Sequence, residues 1–411
     1  MQHARVRHRY MLDQVSHTAW WVNFDNMSIS KSMARGAFRG LQNLAANGRR
    51  QTGINLIAPD ASAQQIEEIK RRAAFYFSPV QATSLAIHPA FTRALALDAS
   101  PVLLFGAADT RQHPLAKLHG GVFDIDWRAN PSDGWAWIDA AAWSASHVPD
   151  IAASVRRLDQ LRSRIQTEGL PRCYLFGTGP SLGAALRRDW SDGIRIVCNT
   201  IVRDAELWHH IRPHALVAGD GIYHFGFTEF ARAFRRDLRA RLKESPSVLF
   251  IYPAAFDHIV RRDFGGLDGQ LVPLPAGTRS SVHDCFEARF ELPGLGNVLN
   301  MLLLPLGCAL SKRVGLWGFD GRAPDDRLFW ANSNSHSYNE LLPTLQAAHP
   351  AFFDHHVPKD DPEKYLRSVH GDMLEHVLEQ AEQSGWQFEM LHPTWTKTLA
   401  RRAACGVASE P

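Results

Sequence analysis

Cysteine is scarce in this chain, with five residues in 411, an odd number and no Cys-x-x-Cys spacing. That gives no sign of a disulfide framework. Cys173, Cys198, Cys285 and Cys308 lie in apolar or strand-like contexts, which points to buried thiols in a reducing compartment. Long hydrophobic runs are also missing. Leu299–Leu310 is apolar but far short of the roughly 20 residues of a membrane span, and suits a core helix. The opening segment, Met1–His8, leads into no apolar run of signal type. These absences predict a cytoplasmic protein, with peripheral contact at the inner face of a membrane left open. An excess of charge is absent too: 45 Lys and Arg against 42 Asp and Glu give +3, too little for general nucleic-acid affinity. No internal repeat or low-complexity tract interrupts the chain.

What is present is ordinary globular material. With 45% hydrophobic and 21% charged residues, the chain can bury a core without disulfide or metal staples. Its length predicts two or three domains. The most basic stretch, Arg235–Lys243, carries Phe234, Leu238 and Leu242 at four-residue spacing, so it reads as a helix with one buried stripe and a solvated basic face.

Strand and helix signals alternate along most of the chain, which predicts an α/β class with mostly parallel sheets. A smaller N-terminal α/β domain is expected over 1–148, with strands at 20–24, 54–57, 82–87, 102–105 and 121–125, helices at 31–47 and 63–77, and a turn cluster at 129–134. Gly106–Asp109 follows a strand and reads as a plain strand-to-helix turn, with a ligand loop as the alternative. A connecting helix follows over 149–170. A Rossmann-like domain is expected over 171–400, then a tail, 401–411. Its strands are read at 173–176, 194–198, 215–218, 248–252, 270–274, 314–317 and 388–391, with helices at 180–188, 205–211, 225–243, 297–310 and 362–384. The stretch Ala323–Lys359 has no clear period and reads as a long irregular insert of the kind that forms a binding loop.

The most informative motif is Tyr174-Leu175-Phe176-Gly177-Thr178-Gly179-Pro180-Ser181-Leu182, a buried strand running into a glycine turn and a helix start. Such a turn can present bare backbone N–H groups to a phosphate. Gly177, Gly179 and Gly183 also fit a dinucleotide spacing. However, Pro180 is an unusual occupant of such a turn, and the next strand ends in Cys198-Asn199 instead of an acid. An NADP oxidoreductase, with Arg203 answering the 2′-phosphate, is therefore a minor reading. Asn199 either hydrogen bonds a sugar or base, or caps the helix that begins near Arg203. Asp220 contacts a ribose hydroxyl, holds a metal or closes an Asp-Gly turn. Asn297 is a candidate helix cap, and Asp320 follows another buried strand on the same expected rim. His336, in Ser335-His336-Ser337-Tyr338, is the candidate general base, with His355 and His356 as rivals. His392 and Thr394 close the nucleotide site or cap a turn. No structural metal site is expected.

Taken in order, Gly177–Leu182, Cys198-Asn199, Gly296-Asn297-Val298, Leu316–Asp320 and Ser335–Tyr338 resemble bacterial sialyltransferases of glycosyltransferase family 42. They also resemble a related group of archaeal 6-hydroxymethylpterin diphosphokinases and flagellin-glycosylation proteins. The resemblance covers roughly 171–400. It implies a modified Rossmann domain that moves a sugar from a CMP-activated acidic donor to a glycan, with inversion and without an obligatory metal. Carried over, Gly179, Ser181, Asn199 and Asn297 would hold the nucleotide; Gly177, Thr178, Pro180, Asp220 and Asp320, from their place in the turn and on the expected rim, are further candidates for binding it. His336 would deprotonate the acceptor hydroxyl and Tyr338 would assist the departing phosphate. Thr178 stands where family members usually carry Asn. The alternatives are a Mg²⁺-dependent diphosphokinase, for which Asp220 would be suited, and a noncatalytic nucleotide- or glycan-binding module.

Overall fold

The protein is described from a computed structural model over residues 53–145, 148–321, 336–356 and 371–407. The expected strand at 20–24, the helix at 31–47, the insert's residues 323–335 and 357–359, and the start of the helix at 362 lie outside these residues. The chain divides into two compact units between His147 and Val148.

In the first unit, β1 (Ile54–Ile57), β2 (Leu85–His88), β3 (Val102–Leu104) and β4 (Val122–Asp124) form a parallel sheet in the order β2-β1-β3-β4. The central strands β1 and β3 are buried along their whole length, as expected for a parallel sheet covered on both faces. The helix expected at 63–77 is Ala63–Tyr76, started by a capping box between Ser62 and Gln65. Two readings need correction. The strand expected at 82–87 begins only at Leu85, because Ser78 and Gln81 form a second capping box and Pro79 opens a short helix, Pro79–Thr83. The turn cluster at 129–134 leads straight into the helix Asp133–Ser144. That helix buries Ala136, Trp137, Ile138, Ala140 and Ala141, so its apolar residues do not confine themselves to one stripe and leave little 3.6-residue period to read.

The second unit holds seven parallel strands: β5 (Cys173–Phe176), β6 (Ile194–Cys198), β7 (Ala215–Val217), β8 (Leu249–Pro253), β9 (Leu271–Leu274), β10 (Arg313–Trp317) and β11 (Gln387–Met390). Their order is β11-β10-β5-β6-β7-β8-β9, with every neighbouring pair parallel. The chain lays β5 to β9 outward in one direction, then returns to the far side of β5 for β10 and β11. This is a Rossmann-like α/β arrangement, and its strand order reverses between β5 and β10. Because all strands are parallel, their carboxyl ends share one edge. The helix read as a connector, Ile151–Glu168, is part of this unit. It lies on β9, where Ser154 Oγ donates to the Pro273 carbonyl at 2.8 Å and Arg157 to the Leu271 carbonyl at 2.8 Å.

Phe234, Leu238 and Leu242 are fully buried along the helix Glu229–Glu244, as their spacing requires. The basic face is not wholly solvated, however. Arg235 is buried, ion-paired to Asp263 at 2.7 Å and bonded to the carbonyls of His224 and Gly226. The described part of the expected irregular insert is helical, with Leu342–Ala348 and Pro350–His356 each carrying a proline in its first turn. Among the described residues, no helix is long and apolar enough to cross a membrane. The cysteines are unpaired; four are buried and Cys405 is exposed.

Candidate functional site

The edge formed by the carboxyl ends of β5, β6, β7 and β10 carries Gly177–Ser181, Asn199, Asp220 and Asp320 on four successive loops. Two clusters form there, and they differ in character.

The first is a knot at the point of strand reversal. Gly177 N–H donates to the Trp317 carbonyl at 2.7 Å, and Gly179 N–H to the Gly318 carbonyl at 2.9 Å. Ser181 N–H donates to Asp320 Oδ1 at 3.0 Å and its hydroxyl to Asp320 Oδ2 at 2.9 Å. Pro180 has no N–H. The amides that the turn offered to a phosphate are thus held by protein acceptors, and the Asp320 carboxylate sits where an external anion would cap the helix start. This overturns the expectation that Gly177, Gly179 and Ser181 present free donors. His392 closes the knot from β11. Its Nδ1 lies 2.6 Å from the Pro393 carbonyl, and its Nε2 accepts from Gly318 N–H at 2.8 Å and lies 2.9 Å from Ser181 Oγ. Such partners specify a neutral ring with the proton on Nδ1, and burial lowers its pKa against the opposing pull of Asp320. Thr394 Oγ1 donates to the Phe319 carbonyl at 2.6 Å, and Trp395 N–H to that of Asp320 at 2.8 Å. His392 and Thr394 therefore serve as loop ties here.

Backbone contact explains the glycines. A Cβ on Gly177 would lie 2.5 Å from the Gly318 carbonyl oxygen, and one on Gly318, at φ +79°, 2.3 Å from that of Gly177. A Cβ on Gly179 would lie 2.1 Å from Asp320 Oδ2. Gly183 is different, since a Cβ there would meet nothing within 4 Å. A dinucleotide fingerprint needs its last glycine for close helix–strand packing, and Gly183 has no such contact.

The second cluster lies at the ends of β6 and β7. Asn199 opens a single turn of chain, Asn199–Arg203, in the left-handed conformation at φ 52°. Its side-chain Oδ1 is buried without a hydrogen-bond partner among the described residues. Asn199 is not the cap of the next helix. That role falls to Asp204, whose Oδ1 accepts from Leu207 N–H at 2.9 Å. The same turn holds the segment 336–338. Arg203 donates to the Ser337 carbonyl and pairs with Glu340 at 3.1 Å, while Asp204 Oδ2 lies 3.2 Å from His336 Nε2. His336 is buried, and its Nδ1 has no partner among the described residues. Burial lowers its pKa, with Asp204 pulling the other way.

Asn297, at φ 60°, accepts Asn300 N–H at 2.9 Å, as a helix cap should, while its Nδ2 is buried without a partner among the described residues. Its helix starts with a π turn, Leu299–Leu303, and leans on the end of β7: a Cβ on Gly219 would lie 2.6 Å from Met301 Cε. Asp220, one residue on, closes a turn by accepting the N–H groups of Ile222 and Tyr223, both at 2.7 Å. Burial pushes its carboxyl up to about 6. Tyr338 faces elsewhere. Its hydroxyl donates to Asp237 at 2.7 Å on the helix Glu229–Glu244, and burial holds its pKa high.

The sequence reading missed Asp204. An Asp just before Ala205-Glu206-Leu207 signals a helix cap, but nothing local announces its second partner, 132 positions away by the numbering of His336 and Asp204. The rivals His355 and His356 end the helix Pro350–His356. Among the described residues, no three His, Cys, Asp or Glu side chains form a metal-ligating group. No protein-family model matches the chain, and no curated protein matches it.

Proposed function

We propose that the second unit is a glycosyltransferase of sialyltransferase type, moving a sugar from a CMP-activated acidic donor to a glycan hydroxyl with inversion. The observation that carries this reading is His336: a buried imidazole whose pKa burial lowers, whose Nε2 faces a carboxylate and whose Nδ1 has no partner among the described residues. A histidine so held is suited to take a proton from a hydroxyl. Asn199 and Asn297 add an acceptor and a donor that have no partner among the described residues, at the same sheet edge. Leaving a buried polar atom unsatisfied costs about 1–3 kcal/mol. A ligand rich in hydroxyl, amine and carbonyl groups would recover that cost, as a nucleoside and a sugar do.

In this reading the acceptor oxygen attacks the anomeric carbon from the face opposite CMP, the bond to the CMP phosphate breaks with its electron pair leaving on oxygen, and the acceptor proton passes to His336 Nδ1. Nδ1 is shielded from solvent, so the acceptor must displace a protein neighbour of the ring as it docks. Tyr338 is left out of the chemistry because its hydroxyl is engaged with Asp237. The glycine turn supports the edge instead of cradling phosphate.

The test is turnover of a CMP-activated acidic sugar with a panel of glycan acceptors, read as CMP release. Activity that falls about 10²–10⁴-fold in His336→Ala, the scale of acid–base catalysis, supports the transferase. AMP formation from ATP, abolished by EDTA, would replace it with the diphosphokinase. Ligand binding without turnover would replace it with the binding module.

A further inference from the structure

We infer that Asp204 is a positioning residue that fixes the tautomer of His336, holding the ring proton on Nε2 and keeping the Nδ1 lone pair available. This deepens the reading above and rests on it for its catalytic consequence, but the tautomer itself does not. The two oxygens of Asp204 have separate tasks: Oδ1 caps the helix Ala205–Ile211 through Leu207 N–H at 2.9 Å, and Oδ2 lies 3.2 Å from His336 Nε2. The cap anchors the carboxylate to a regular element, and Asp204 N–H adds a bond to the Ile201 carbonyl at 3.1 Å. A carboxylate only accepts hydrogen bonds, so the facing imidazole nitrogen must carry the proton. In a neutral ring the other nitrogen is then a lone-pair base, and Nδ1 is the nitrogen without a partner among the described residues. The ring is held from its backbone side as well, since Arg203, on the same turn, donates to the Ser337 carbonyl. The carboxylate also favours the imidazolium that forms once a proton is taken. The same physical logic makes a buried acid behind a catalytic histidine worth about 10⁴ in turnover when it is replaced by Asn.

The experiment is ¹⁵N NMR of the ring nitrogens in the full chain, with His336 assigned by its loss in His336→Gln, on the wild type, Asp204→Asn and Asp204→Ser. Asn and Ser both cap helices well, so each variant should keep the fold. The expected result is an Nε2–H tautomer in the wild type and transfer of the proton to Nδ1 in Asp204→Asn, whose amide N–H₂ can donate to Nε2. Asp204→Ser should leave a mixture. Turnover of the CMP-sugar should fall on the order of 10³–10⁴-fold in Asp204→Asn, with the donor KM little changed. A wild-type Nδ1–H tautomer, or one unaltered in Asp204→Asn, overturns the inference. If the tautomer shifts as expected while the wild type does not turn over a CMP-sugar, Asp204 keeps its positioning role and the transferase reading falls.

Discussion

The carboxylate of Asp320 accepts both the backbone N–H and the hydroxyl of Ser181, at 3.0 and 2.9 Å. It thereby occupies the anion position at a helix start that the glycine turn had suggested for a ligand phosphate. Removing the carboxylate should expose that position. In Asp320→Ala, inorganic phosphate or sulfate should raise the melting temperature more than in the wild type, because the freed Ser181 donors can then take an external anion. Equal anion response in the two proteins would show that the site does not bind anions when vacated.

Gly177 and Gly318 meet backbone to backbone, and this predicts a contrast within one motif. Gly318→Ala places a Cβ 2.3 Å from the Gly177 carbonyl oxygen at a positive φ. It should cost about 2–5 kcal/mol by denaturant unfolding. Gly183→Ala, with open space around it, should be neutral or stabilising by up to about 1 kcal/mol. Similar losses at both positions would mean that the glycines are held by something other than close backbone approach.

Acid should unfold the protein well before its carboxylates are exhausted. Burial lowers the pKa of His224 to about 3 and of His258 to about 4, and lowers those of His336 and His392. In the unfolded chain histidine titrates near 6.5. Below that value the unfolded state binds more protons, so this contribution is complete above pH 6.5 and is lost as pH falls toward 4. Unfolding free energy measured across that interval should drop steeply; a flat profile would contradict buried neutral rings.

Asp220 has the opposite sign. Its folded carboxyl titrates near 6, above the ordinary 3.8. The folded state therefore binds the extra proton between those values, and stability falls as pH rises through them. Asp220→Asn keeps an oxygen for the N–H groups of Ile222 and Tyr223 while removing the buried charge. It should raise stability at pH 7 by roughly 1–3 kcal/mol and do little at pH 3. Loss of stability at pH 7 would mean that the charge has a favourable partner.

Much of the fold was legible because central parallel strands are short, continuous apolar runs. Cys173–Phe176 and Ile194–Cys198 begin and end where their patterning puts them. Asp133–Ser144 was not legible because its apolar residues spread around the helix, and Leu85 was misplaced because a Ser-Pro start signal stood just ahead of it. At the site, parallel strand ends place Asn199 and Asp220 on one edge once the strand order is known. The engagement of the turn amides by Trp317, Gly318 and Asp320 is a tertiary outcome with no local signature. The pairing of Asp204 with His336 is likewise set by where a distant loop folds back.

The most direct measurement is a thermal-shift comparison of CMP, CDP, UDP, GDP, ATP and NADP on the wild type and Asn199→Ala. CMP should raise the wild-type melting temperature above the other nucleotides, and Asn199→Ala should lose most of that shift. No CMP shift in the wild type, or an equal one in Asn199→Ala, would contradict a nucleotide site at the end of β6.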